Sequence, residues 1–403
     1  MTPKSTPELL RHAPGPDARD FALLSGAEAT TRALVVSVLP ILAYRAWQDA
    51  GVVSHLYLIV GILSLVLGLS IPWITTKMPR RWLYTIGALC HLAAAVCGFF
   101  GGTELVTLAV ALHGFAIVIC FVCLNAYLLD YISRNDIGKA ESKRMTFVAT
   151  PWTFGPALSV WLMDKYPPAP FIASGISALI LLIVFWKLRL GDGKAISKAK
   201  RDTVNPLIYI GHFLQQPRLI VGYCIALIKS GGWWVYTVYL PIFCVQNGLG
   251  EQIAGYVFSL SNATLYASPL VLYAAQKYSI RRVIQFSFFM SGALLIAAAF
   301  AAPMPMATVI LFYLGTTCFS MLDVTGGVPF LSAVRPSERT EMAAVYSTFR
   351  DVSGSVAPAV AGLVLLFAPV QWVFAACGVS LWGAGALAST LHPRLGQRRK
   401  KSA

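Results

Sequence analysis

Four charged side chains stand inside stretches whose composition is otherwise that of a membrane interior. Glu28 and Arg32 lie four residues apart in FALLSGAEATTRALVVSVLPILAYR (21–45), Lys229 lies within 218–246, and Asp323 within 305–333. A spanning helix needs about 20 mostly apolar residues, which each stretch supplies. A charge near the middle costs roughly 2.5–3.5 kcal/mol on insertion scales, so such side chains face protein or water. Their chemistry would be proton carriage and anion pairing. Desolvation favours the protonated carboxyl and a neighbouring cation favours the ionised one, so Glu28 and Asp323 are candidate proton carriers. Arg32 and Lys229 suit a carboxylate or phosphate ester. Trp233, Trp234 and Tyr236 follow Gly231-Gly232 on the stretch that carries Lys229. They offer a stacking wall for an aromatic or amphipathic substrate, or else plain core and lipid contacts. Ser320 shares a face with Thr316 and Asp323, while Asn125 and Asn262 add polar groups that equally serve helix–helix packing. Arg350 and Asp351 either anchor a gate or pair at the end of a span.

The surrounding chain is that of a multi-span membrane protein. Of 403 residues, 57% are hydrophobic and 12% charged, and the mean hydropathy is +0.67; a soluble domain carries about 25% charged residues. The polar, proline-containing N-terminus lacks the apolar core of a secretory signal. All eight cysteines fall in apolar runs, which argues for core residues rather than a disulfide framework, and Cys120-x-x-Cys123 has no second pair to hold a metal.

Apolar runs bounded by charges or Pro/Gly turns predict twelve helices, at 21–45, 53–76, 82–101, 104–132, 145–164, 169–188, 218–246, 252–276, 282–301, 305–333, 343–367 and 369–391. Pro269 is expected to kink the eighth. With the N-terminus inside, 27 of the 32 lysines and arginines fall on the cytoplasmic side, two (Arg45 and Lys165) fall outside, and three lie within spans. That asymmetry predicts both termini in the cytoplasm and a plasma (inner) membrane location. It also explains the net charge of +15 without a nucleic-acid partner. The polar stretch 189–217 is read as a basic cytoplasmic linker with no fold of its own. It divides the chain into an N-terminal six-helix half (1–188) and a C-terminal half with a basic tail (218–403).

The two halves repeat. Val38-Leu39-Pro40-Ile41 returns as Tyr239-Leu240-Pro241-Ile242, and Arg80-Arg81 returns as Arg281-Arg282. Thr146-Phe147 with Gly155-Pro156-Ala157 returns as Thr348-Phe349 with Ala357-Pro358-Ala359. A near-constant offset of about 201 residues, three times in order, is the mark of a parallel internal repeat. Such a chain resembles the major facilitator superfamily of secondary transporters over 21–392. The loop signature after the second helix appears as Pro72 to Arg81, with Thr76 at the acidic position, and the antiporter pattern of the fifth helix appears as Pro151 to Val160, with Gly155-Pro156 kept.

The resemblance implies an all-α fold of twelve transmembrane helices in two pseudo-symmetric halves, with the first, fourth, seventh and tenth helices lining a central cavity. It implies gating roles for Arg80, Arg81, Arg281, Arg282, Pro156 and Pro358, beside Arg350 and Asp351. The offset makes Glu28 and Lys229 equivalent across the pseudo-two-fold axis. They are expected to approach each other or share a substrate in one state; the competing arrangement pairs Glu28 with Arg32 and Lys229 with Asp323. No HExxH, P-loop, GxSxG or helix-opening GxGxxG is present, so neither an enzyme nor a cofactor is expected, and energy must come from a gradient. The expected function is alternating-access transport of a small, possibly anionic solute by a monomer, as proton-coupled export suggested by Gly155-Pro156. Import of an organic anion by proton symport or uniport is the alternative.

Overall fold

A computed structural model describes residues 18–131, 137–188, 206–335, 339–393 and 395. The extreme N-terminal stretch, the basic core of the linker and most of the C-terminal tail lie outside the described residues. The first half contains α1 (Ala18–Ala33), α2 (Val38–Trp47), α3 (Ala50–Lys77), α4 (Arg80–Phe100), α5 (Thr103–Tyr131), α6 (Ile137–Lys165) and α7 (Ala169–Lys187). After α8 (Pro206–Leu214), the second half contains α9 (Pro217–Gln246), α10 (Glu251–Ala263), α11 (Ser268–Tyr278), α12 (Ile280–Phe300) and α13 (Pro305–Thr325). It ends with α14 (Val328–Ala333), α15 (Arg339–Ser347), α16 (Phe349–Leu365) and α17 (Gln371–Leu387). Among the described residues nine helices are long and apolar enough to cross a membrane. The other three expected spans are also helical: 145–164 lies within α6, 252–276 is divided between α10 and α11, and 343–367 between α15 and α16.

Prolines set three of the breaks. The ring of a helical proline clashes with the carbonyl four residues earlier and offers no N–H. Pro40 disrupts the turn at Val36, Pro269 the turn at Leu265 and Pro329 the turn at Thr325. The chain accordingly leaves regular α-helix at 34–37, in the 3-10 turn Thr264–Ala267 and at Gly326-Gly327. Pro241, the repeat partner of Pro40, lies inside the unbroken α9.

The breaks decide which half each segment touches. α1 packs chiefly on α6 and α7 of its own half, while α2 reaches α9 of the other. α10 crosses to α6, whereas α11 stays against α12 and α13. The crossing segments α2 and α10 both lie toward the end of the bundle that carries Arg45. There Arg45 forms an ion pair with Glu251 and the Ser54 and Tyr239 hydroxyls are 2.8 Å apart. Deeper in, Ser259 Oγ accepts from the Ala157 N–H at 2.8 Å. Two glycines permit the closest approach between halves. A Cβ on Gly61 would lie 2.4 Å from the Gly354 carbonyl oxygen, and one on Gly255 would lie 2.8 Å from the Pro156 carbonyl oxygen. The bundle is therefore closed at the Arg45 end.

One stretch departs from the sequence reading. Part of the linker does fold: α8 buries Phe213 with Leu219, Phe330, Val334, Met342 and Val345, so the connection docks on α14 and α15 rather than running free.

Candidate functional site

The charged side chains are held in a line across the middle of the bundle. On α1, one helical turn puts Arg32 Nη1 3.2 Å from Glu28 Oε1. The Arg32 guanidinium lies 5.3 Å over the Trp152 ring of α6. The Trp152 ring stands 6.0 Å from Trp233 of α9, at 76°, and Trp233 stands 5.7 Å from Trp234, at 85°. Four residues before Trp233, Lys229 Nζ lies 2.5 Å from Asp323 Oδ1 of α13. Carboxylate, guanidinium, indole, indole, ammonium and carboxylate thus run from one half to the other.

The structure takes the within-half pairing, not the cross-axis approach of Glu28 to Lys229. Two ion pairs, one in each half, face each other through the tryptophans. Side-chain exposure rises along the line, from 10% at Glu28 and 21% at Arg32 to 25% at Lys229 and 43% at Asp323. The second pair is thus the more accessible one. Arg350 adds a third cation. It lies 3.9 Å over the Phe121 ring of α5, where the charges of Arg32, Glu28, Asp351 and Arg144 act on it. Asp351 reaches toward α3 at Gly68, so Arg350 and Asp351 sit at the boundary between halves.

The other residues singled out from sequence divide clearly. Trp233 and Trp234 are half-buried along the line, with Trp234 packed on Gly354. Tyr236 is buried and stacked at 4.5 Å on Phe258, which makes it wall rather than contact surface. Asn262 Nδ2 donates to the Phe258 carbonyl at 2.9 Å and Ser320 Oγ donates to the Thr316 carbonyl at 3.0 Å; both are engaged with their own helices. Asn125 lies one turn beyond Phe121 and is half-buried. Arg80 sits 5.3 Å over Tyr127 and Arg281 donates to the Leu391 carbonyl at 3.2 Å, so each ties down an end of its own half. Arg282 opens α12, its N–H donating to Ser279 Oγ. Arg81 accepts the Thr85 hydroxyl on its carbonyl. Pro358 is buried in α16. Gly155 is a packing residue: a Cβ there would lie 2.6 Å from the Ala33 Cβ.

Sequence reasoning missed three features. Trp152 was passed over within a motif, although an indole between Pro151 and Pro156 was a visible signal. His91 and His113 stack edge-to-face at 5.3 Å behind Arg32, on faces that sequence alone could not align. The Arg45–Glu251 pair joins two span ends that are remote in sequence. Burial pushes the Glu251 carboxyl above its ordinary range and Arg45 draws it back. Arg45 is half-exposed at 49%, and exposed pairs contribute about 0.2–1 kcal/mol. Arg45→Ala is therefore expected to raise the population open at this end by at most about fivefold. Distances between spin labels at Thr103 and Asn247 measure this, and the swap Arg45→Glu with Glu251→Arg should restore it.

A crevice of about 120 Å³ lies elsewhere, between α9, α16 and α17, with a largely aliphatic lining and no charged residue. Among the described residues no cluster of three or more His, Cys, Asp or Glu side chains is placed to hold a metal ion.

An all-helical bundle with nine helices long and apolar enough to cross a membrane among the described residues, packed around a line of charged side chains, defines a helical membrane protein. The profile of the Major Facilitator Superfamily matches residues 21–358, and the chain belongs to that family. It is a multi-pass membrane transporter of a small molecule rather than an enzyme. The nucleoside transporter NupG is similar in structure, with a TM-score of 0.69 at 16% identity over 94% of this chain and 100% of that one. A D-xylose-proton symporter gives 0.67 at 12% identity over 94% and 97%. A bacterial homologue of the iron transporter ferroportin, in its inward-facing state, gives 0.67 at 17% over 96% and 100%. At these identities the likeness is one of fold. No curated protein matches the chain in sequence.

Proposed function

We propose that the protein takes up a small organic anion together with a proton, by alternating access about the Arg32–Trp152–Trp233–Lys229 line. The observation that carries this is the accessible pair of Lys229 with Asp323 at 2.5 Å. An anion that claims the Lys229 ammonium displaces Asp323. A carboxylate deprived of its cation and set beside the bound anion is stabilised by a proton. Anion and proton then load together and leave together, and neither travels alone at low cost. Glu28 and Arg32 offer the same exchange in the first half, with Arg350 beside them.

Export in exchange for protons is the second reading. It requires substrate and proton to compete for one group, whereas Lys229 and Asp323 take opposite charges. The close packing of Gly155 on Ala33 accounts for that glycine without a direction of transport. The asymmetry of basic residues supports cytoplasmic termini in a plasma (inner) membrane, which makes the closed Arg45 end the outer one and this state inward-facing. The halves then divide at the 189–217 linker, and a single chain contains the complete site.

Proteoliposomes test the coupling. An inward anion gradient is expected to acidify the lumen of vesicles carrying the wild-type protein and to leave lumenal pH unchanged with Asp323→Asn. Lumenal alkalinisation would instead assign exchange. Uptake with no pH change in the wild type would assign uniport.

A further inference from the structure

The ion pairs set the charge of the substrate; the indoles between them bear on its shape. Trp152 and Trp233 stand at 76°, and Trp233 and Trp234 at 85°. Successive perpendicular rings make corners. A flat ring seated in such a corner stacks on one indole and meets the next edge-on, the two arrangements that aromatic pairs favour. The corner is backed by further rings: Trp152 lies 6.2 Å from Phe258, which is itself stacked at 4.5 Å on Tyr236. Trp152, Trp233 and Trp234 all keep part of their surface exposed. Each indole packs on the hydrophobic core with part of its surface and leaves the remainder exposed beside the charged line.

We propose that the Trp152–Trp233 corner makes this carrier selective for planar aryl carboxylates, with the ring against the two indoles and the carboxylate on Arg32 or Lys229. The proposal rests on the organic-anion reading above and narrows it. Trp152 is the specificity-determining residue, because it alone joins the aromatic corner to the guanidinium of the first half. Replacing the flat ring by a puckered one of equal charge and similar size removes both aromatic pairings and leaves the charge pairing. Two pairings together correspond to about a tenfold preference.

The test uses the full chain in detergent, with benzoate, indole-3-acetate and cyclohexanecarboxylate as probes and binding followed by calorimetry. The expected result is that benzoate and indole-3-acetate bind about tenfold tighter than cyclohexanecarboxylate. Trp152→Ala should bring the ratio of benzoate to cyclohexanecarboxylate affinity close to one, and Trp152→Phe should retain most of the preference. Equal binding of benzoate and cyclohexanecarboxylate to the wild type overturns the aryl selectivity and leaves the organic-anion reading standing. If neither these probes nor lactate, citrate or glycerol phosphate bind, both fall. The wild-type comparison decides the matter even if Trp152→Ala fails to fold.

Discussion

Lys229→Gln is expected to abolish anion uptake and to weaken anion binding by about 30-fold or more, while the protein stays folded. Truncating the charged partner of an anion held in a binding site costs about 2–5 kcal/mol, and the partial exposure of Lys229, 25%, places the loss at the lower end. Lys229 is the more exposed cation of the two ion pairs, and its partner Asp323 sits on another helix, α13. Removing the charge takes away the anion's ligand and also the competition that ties Asp323 protonation to substrate. Uptake into proteoliposomes and calorimetry on the same preparation separate the two losses. Asp323→Asn should show the complementary pattern, with binding retained and proton movement lost. The double variant Lys229→Gln with Asp323→Asn should match the wild type in thermal stability, since no charge is left unpaired, yet remain inactive. Uptake by Lys229→Gln within threefold of the wild type would place the anion elsewhere.

Gly61→Val is expected to open the Arg45 end. At that position the α3 and α16 backbones meet, and a Cβ would lie 2.4 Å from the Gly354 carbonyl oxygen. Backbone gives way far less readily than the end of a side chain, so the overlap must be relieved by separating the halves. Overpacking of this kind costs about 1–3 kcal/mol. The cost falls on the state closed at this end, so the population ratio shifts about 5- to 150-fold. For comparison, a full switch from 1:99 to 99:1 requires about 5.5 kcal/mol. Spin labels at Thr103 and Asn247 should report a longer distance in Gly61→Val, and transport should slow because the cycle must return through the penalised state. Gly61→Ala should show the same shift in smaller measure. An unchanged label distance in both variants would show that the contact does not gate.

What sequence alone determined follows from local and additive quantities. Hydropathy is summed along the chain, so the helical stretches could be read from it: among the described residues nine helices are long and apolar enough to span, and the other three expected spans are helical as one segment or two. The offset of about 201 between Val38-Leu39-Pro40-Ile41 and Tyr239-Leu240-Pro241-Ile242 was the sequence's signal for two halves, because a duplication preserves order. The cost of burying charge picked out Glu28, Arg32, Lys229 and Asp323, since a lone charge in an apolar run needs a reason wherever it lies. Proline chemistry marked the break before Pro269. The same rule does not say that Pro40 would break its helix while Pro241, its repeat partner, lies in a continuous α9; that depends on what packs around each.

Tertiary structure alone decided the partners. Equivalence across a pseudo-two-fold axis relates Glu28 to Lys229 by symmetry, but symmetry-related positions touch only if they lie near the axis. Here each charge found a closer partner in its own half. Helical periodicity gives one face of one helix and cannot say which face of another helix meets it. Hence Trp152 over which Arg32 lies, Arg350 on Phe121 and Glu251 on Arg45 emerge only when the helices are assembled. Charge and hydropathy belong to single residues and are written in the chain, whereas pairing is a distance, and distances exist only in the fold.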